Sequence, residues 1–235
     1  KKRNIIRGFL VLVMVVMTGF FINLEITKAD EKNTENYHLI PWDDGQSGTY
    51  WMDGYLYWID MKKKKISRYS DEEMTKEEVL VEADKGTCIG ECGLLYDDII
   101  YYVLIDNKTH AGNLYSYNLK SRESNKLGAA RELQRLEVLV DGKIYGCGYT
   151  KTGNPEVFLY DLKGKKLKQI CKNGYFGQIV GKYIAIQTIS SSGKSGMTLY
   201  RKSDGQKIKT ITSNCSYYEF IDNTFRSQEH TSELQ

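Results

Sequence analysis

One short pattern returns five times along this 235-residue chain. A tyrosine-rich apolar run enters a two-residue turn, and a second such run leaves it. Tyr50-Trp51-Met52 leads into Asp53-Gly54 and out through Tyr55-Leu56-Tyr57-Trp58-Ile59. The same reading holds around Asp97-Asp98, Asp141-Gly142 and Gly181-Lys182, and a fifth start, Tyr218-Glu219-Phe220-Ile221, leads into Asp222-Asn223, after which the apolar alternation stops. These turns begin at 53, 97, 141, 181 and 222, so they are spaced 44, 44, 40 and 41 residues apart. Asp-Gly between apolar runs is a strong hairpin signal, because both turn residues must accept positive φ.

Each unit carries a second landmark downstream. Ile66-Ser67-Arg68-Tyr69, Leu114-Tyr115-Ser116-Tyr117, Val157-Phe158-Leu159-Tyr160 and Met197-Thr198-Leu199-Tyr200 each precede a polar turn. A last short run closes each unit, at Val79–Val81, Asn125–Leu127, Leu167–Ile170 and Ile208–Ile211. Every unit therefore reads as four antiparallel strands in about 42 residues, the size of one propeller blade. One blade buries too little surface to stand alone, whereas blades stacked radially bury each other's faces. A β-solenoid needs shorter repeats, and a sandwich does not recur so regularly. Composition agrees: 18 Tyr against 7 Phe, and 21 Gly beside 2 Pro, suit many short strands joined by tight turns. The expected fold is an all-β propeller fragment, four four-stranded antiparallel blades over residues 49–212 plus the start of a fifth, preceded by an N-terminal hydrophobic helix.

Tyr57-Trp58-Ile59-Asp60, followed by Lys65-Ile66-Ser67-Arg68, resembles the Tyr-Trp-Thr-Asp repeat of lipoprotein-receptor-type propellers. The chain is more similar still to bacterial exported propellers with repeated Asp-Gly-x-Ile-Tyr-Tyr units, over residues 37 to about 225. Later units read Tyr101-Tyr102, Tyr145-Gly146 and Ala185-Ile186 where the first reads Tyr57-Trp58, so the receptor signature is confined to one unit. The resemblance implies the architecture and brings no particular activity with it.

The two ends read differently from the body. Residues 1–29 hold a basic start, an uncharged apolar stretch at 8–24, and small residues at Thr27 and Ala29. This reads as a signal peptide cut after Ala29 or a retained membrane anchor, both of which place the rest of the chain outside the cytoplasm, with a buried core helix as the third reading. Residues 30–36 form a linker, and 37–225 the incomplete propeller. The last ten, Arg226 to Gln235, resemble a translated sequencing adapter at nine of ten positions. They are read as an artefact, with the native gene continuing past Phe225 to complete a ring of about six to eight blades. The formal charge of +3 is an end effect. Residues 1–29 carry five bases and one acid, and the last ten carry one base and two acids, which leaves no net charge on residues 30–225. A neutral body has no electrostatic footprint for nucleic acid, and the Lys62–Lys65 run reads as a solvated hairpin loop.

No catalytic or metal-binding constellation stands out. Five Cys are an odd number, and Cys88 and Cys92 are the only close pair, without further ligands at zinc spacing. Cys171 and Cys215 occupy equivalent places on successive units, too far apart for a disulfide. His38 and His110 sit in unlike places, in an alternating run and in a loop. The acidic pairs Asp43-Asp44 and Asp97-Asp98 read as turn chemistry. Gly193-Lys194-Ser195 lacks the upstream Gly of a phosphate loop and joins two strands. Tyr101, Tyr117, Tyr145, Tyr160, Tyr183 and Tyr200 are repeat-equivalent and read as packing residues. Trp51, Tyr55, Tyr57 and Trp58 of the first unit are the candidate ligand-facing aromatics. The expected function is an exported, non-catalytic propeller at the cell surface, binding a protein or carbohydrate and needing no cofactor. It would touch a membrane only through residues 8–24. Alternatives are a hydrolase or lyase whose active residues lie on further blades, and an envelope-tethered scaffold.

Overall fold

The computed structural model describes residues 37–40, 51–52, 54–71, 73, 75–150, 152–190, 195–212, 217–221 and 224–228. Segments 1–36 and 41–50, residues 191–194, Cys215 and residues 229–235 lie outside these, so the hydrophobic N-terminal helix, the linker and Asp43-Asp44 are among the expectations they hold. Among the described residues no helix is long and apolar enough to cross a membrane.

Among the described residues all regular structure is strand. After β1 (His38–Ile40), the first blade is β2 (Trp51–Met52), β3 (Tyr55–Asp60), β4 (Lys65–Tyr69) and β5 (Glu77–Glu82), hydrogen-bonded in that order. The second contains β6 (Thr87–Ile89), β7 (Gly93–Tyr96), β8 (Ile99–Asp106), β9 (Gly112–Asn118) and β10 (Glu123–Ala129). The third is β11 (Arg135–Val140), β12 (Lys143–Tyr149), β13 (Pro155–Asp161) and β14 (Lys166–Lys172). The fourth is β15 (Gly174–Val180), β16 (Tyr183–Ile189), β17 (Ser195–Arg201) and β18 (Lys207–Thr212). A two-stranded hairpin, β19 (Tyr217–Ile221) with β20 (Thr224–Gln228), follows. Where the residues are described, the expected turns are in place: φ is +79° at Gly54, +50° and +61° at Asp97 and Asp98, +49° and +65° at Asp141 and Gly142, and +56° at Gly181; Asp53 and Asp222-Asn223 lie outside the described residues.

The second blade departs from the four-strand expectation. Its sheet has six members, because the first strand is broken into β6 and β7 and because β1 pairs along β7, with His38 opposite Leu95 and Ile40 opposite Gly93. The break falls at Gly90, where an added Cβ would run into the carbonyl oxygen of Gln134. The linker into the third blade thus approaches too closely for any side chain. Glu91 then donates its amide N–H to the Gln134 carbonyl at 3.2 Å rather than continuing the ladder.

Period-two alternation decides what each strand buries. In β8, Ile100 and Tyr102 pack back on the first blade, while Tyr101 and Val103 pack forward on the third. In β12, Ile144 faces back, and Tyr145 and Cys147 face the fourth blade. In β16, Ile184 and Ile186 face back, and Ala185 joins Val180, Met197 and Leu199 on the far side. Tyr117, Tyr160 and Tyr200 all turn toward the preceding blade, opposite Ile100, Ile144 and Ile184 in register. Burying a large apolar side chain stabilises by about 1.5–3 kcal/mol, so these shared faces account for radial stacking. Buried hydroxyls need partners. Tyr145 donates to the Lys202 carbonyl at 2.8 Å, which fastens the fourth blade's β17–β18 turn to the third blade.

The final hairpin runs further than the apolar pattern. Phe220 pairs with Phe225, but pairing continues to Tyr217 opposite Gln228, through Arg226 and Ser227. Ladder bonds use backbone groups that any non-proline residue offers, so a polar sequence is no barrier to them.

Candidate ligand cleft between the first two blades

β3 leaves the first hairpin turn with Tyr55 and Tyr57 two residues apart and therefore on one face. Both line a cleft of about 730 Å³ facing the second blade, within the ~300–1,000 Å³ typical of ligand sites. Arg68 stands opposite Tyr57 on β4, and its guanidinium carbon lies 4.1 Å from the centre of the Tyr55 ring. The Tyr55 and Tyr57 rings meet edge to face at 6.5 Å. Arg68 Nε also donates to Glu78 Oε2 at 2.7 Å. Burial works against its charge, but Glu78 and the Tyr57 hydroxyl more than offset that, and its pKa is raised.

The second blade supplies the opposite wall: Leu95 from β7, the Asp97-Asp98 turn, and Leu119-Lys120 from the β9–β10 turn. Lys120 Nζ lies 2.5 Å from Asp98 Oδ2, and that contact raises the lysine pKa. His38, exposed on β1, lines the same space. Arg122 closes the rim from the second blade to the first, donating to Glu78 Oε1 at 2.9 Å. The cleft thus offers an aromatic ring already carrying a cation, two carboxylates, an ammonium and an imidazole, with opposite charges in balance.

Of the four aromatics expected to face a ligand, the structure brings Tyr55 and Tyr57 together. Tyr57 is only 3% exposed, so it forms the floor while Tyr55, half-buried, offers the accessible ring. Trp58 follows Tyr57 directly and so turns to the opposite face of β3. The side chain of Trp51 lies outside the described residues. His110 adopts φ +56° in the β8–β9 loop, at the far end of the second blade from His38. Among the described residues no group of three or more His, Cys, Asp and Glu could hold a metal ion. Cys88, Cys147 and Cys171 carry free thiols, so the Cys88–Cys92 loop is not closed; Cys215 lies outside the described residues.

A second cluster escaped the sequence reading. The β11–β12 register slips between Leu136 and Val138, leaving Glu137 in the bulge. Its Oε1 lies 2.5 Å from Arg135 Nε, and Arg135 Nη1 reaches Glu91 Oε2 at 3.5 Å. Burial pushes the Glu137 carboxyl up despite the neighbouring guanidinium, and burial followed by Glu137 pushes the Cys147 thiol well up. Arg135 pays for burial too, but Glu137 raises its pKa nonetheless. Glu91 comes from the broken strand of the second blade, so this cluster pins two blades together. Three residues scattered over two units, one of them set in a bulge, leave no periodic mark in a sequence.

No protein-family model matches the chain, and no curated protein is similar enough to match it. Solved structures do. An oligogalacturonate lyase determined in complex with manganese superposes with a TM-score of 0.51 at 11% identity, over 71% of this chain and 52% of that one. TolB from Acinetobacter baumannii gives 0.44 at 15% identity, over 71% and 42%. A chain of a nidogen/laminin complex gives 0.43 at 10%, over 67% and 59%. At such identities the likeness to the lyase is one of fold alone. The chain spans about half the length of that relative. With four-stranded antiparallel sheets packed face to face, it is a protein of β-propeller blades.

Proposed function

We propose that this chain is an exported, non-catalytic propeller of the cell surface or envelope that binds a protein or carbohydrate partner through the cleft between its first two blades. The observation that carries the reading is the Tyr55–Arg68 stack set across the cleft from Asp97, Asp98 and Lys120. An aromatic face beside paired donors and acceptors holds a polar partner with apolar patches, such as a sugar ring or a peptide. The charged groups are tied to one another, Lys120 to Asp98 and Arg68 to Glu78, which suits recognition better than proton transfer. The basic start and apolar stretch of residues 1–29 support export. The test is binding of the full chain to arrayed glycans and peptides, compared with Tyr55→Ala. Capture of a defined glycan or peptide, weakened about tenfold or more in the variant, as loss of ~1.5 kcal/mol of contact would give, is expected. Binding that ignores Tyr55→Ala would move the site elsewhere.

A further inference from the structure

A smaller cavity of about 310 Å³ opens between β14 of the third blade and β16–β18 of the fourth. Its lining is one-sided in charge. Lys172 at the end of β14 and Lys207 at the start of β18 both line it, and no carboxylate does. Lys65, Lys120 and Lys166, by comparison, each have a carboxylate partner, in Glu77, Asp98 and Glu132. Lys172 and Lys207 make no ion pair among the described residues. Glu156 stands opposite Lys172 in register, but its Oε1 accepts from Gln169 Nε2 at 2.8 Å and it does not line the cavity.

Besides the two lysines and the apolar Ile170 and Ile189, the lining is rich in hydroxyl groups. Thr198 is 2% exposed, with its hydroxyl 3.2 Å from that of Thr210, and Thr188, Tyr200 and the Cys171 thiol complete the floor. Burial pushes the Cys171 thiol up against a hydrogen bond with Tyr200 and the Lys207 charge, and the Glu156 charge adds to the rise. Two unpaired cations in a concave, hydroxyl-lined space raise the local concentration of anions. Ammonium groups bind oxyanions as point charges, and hydroxyls donate to the remaining oxygens.

We propose that this cavity is a binding site for the oxyanion group of a small molecule, a carboxylate, sulfate or phosphate, held between Lys172 and Lys207. Its volume suits one charged group on a body no larger than a monosaccharide, at the low end of ligand sites. It is separate from the cleft of the first two blades and does not depend on that cleft binding anything.

Isothermal titration calorimetry of the full chain with inorganic phosphate, sulfate, glucuronate and uncharged glucose tests this. At least one oxyanion should bind, more weakly as salt is raised, and glucose should give no heat. Phosphate or sulfate alone would mark a tetrahedral anion, and glucuronate alone a carboxylated sugar. Lys172→Gln and Lys207→Gln should each weaken binding about tenfold, the loss of one charge-assisted contact, while Tyr55→Ala leaves it unchanged. Both lysines are exposed, so unchanged circular dichroism will show that the variants fold. Silence from all three anions, or equal binding in the double lysine variant, would overturn the proposal.

Discussion

Tyr160 donates its hydroxyl hydrogen to Glu132 Oε2 at 2.9 Å, while Lys166 Nζ holds the other oxygen of the same carboxylate at 2.6 Å. Glu132 sits in the short link between β10 and β11, so a residue of the crossover is fastened to the middle and outer strands of the third blade. Burial opposes the Glu132 charge, but Lys166 and then Tyr160 prevail, and its pKa is lowered.

Tyr160→Phe should therefore cost about 1 kcal/mol, the net value of one such hydrogen bond, read as a lower urea midpoint at constant slope. Lys166→Met should cost less, because exposed pairs are worth ~0–1 kcal/mol. An unshifted midpoint in Tyr160→Phe would show that the hydroxyl holds nothing.

Glu77 gives the first blade a pH dependence of known sign. Lys65 first, then the Ser67 hydroxyl, and Tyr69 after the opposing cost of burial, hold its pKa down to about 2 from an ordinary 4.5. A depressed carboxylate contributes stability that is present above the unfolded value and lost as pH falls through the folded one. Stability should accordingly decline between pH 4.5 and about 2, and Glu77→Gln should flatten that part of the profile. At the alkaline end, burial and then Glu77 push Tyr69 up to about 12. Its contribution is complete below the ordinary 10 and is lost as pH rises through 12. Burial also raises Tyr101, Tyr102, Tyr145, Tyr149, Tyr160 and Tyr200, so among several late-ionising tyrosines ultraviolet titration should find one that moves down, though not fully, in Glu77→Gln.

Arg135→Met should be the more damaging change in the bulge cluster. Removing the guanidinium strands the Glu137 carboxylate, 11% exposed, without its partner. A fully buried orphan charge costs ~3–5 kcal/mol, and partial exposure brings the expectation to about 2–3 kcal/mol. Because the Glu137 pKa is already raised, its folded state favours the proton, and stability falls as pH rises through the folded value. The variant should thus lose less at mildly acidic pH than at alkaline pH. Denaturation at two pH values checks this, and adding Glu137→Leu should recover much of the loss.

Gly90→Ala tests the broken strand of the second blade. A methyl group there meets the Gln134 backbone, which cannot swing aside as a side chain would. The expected cost is about 1–3 kcal/mol, typical of overpacking, measured as a drop in melting temperature. Gly54→Ala is the control, since nothing lies within 4 Å of its added Cβ and only the positive φ is penalised.

What the sequence shows and hides follows from distance along the chain. Turn pairs such as Asp141-Gly142 and the alternation of Ile144 with Tyr145 are local, so both hairpins and inward faces could be read directly. The tyrosines of the third strands were legible for the same reason, since Tyr117, Tyr160 and Tyr200 repeat in step with the turns. Pairing of His38–Ile40 with β7 instead of the first blade was not legible, because a three-residue strand carries no mark of its partner. Nor was it legible that Lys172 and Lys207 line one cavity, because they come from different blades. Of the cleft, the aromatic half could be seen at Tyr55 and Tyr57, but not the wall that Asp97, Asp98 and Lys120 supply.

The attachment of β1 to the second blade also sets how the fold would carry load. Tension applied at the N-terminus enters through three residue pairs, His38 with Leu95, Leu39 with Leu94 and Ile40 with Gly93. While those pairs hold, force passes into β7 and onward, and the first blade stays out of the line of pull. The cleft between the first two blades would keep its shape under strain until β1 let go. That short strand therefore acts as a mechanical fuse for the site behind it.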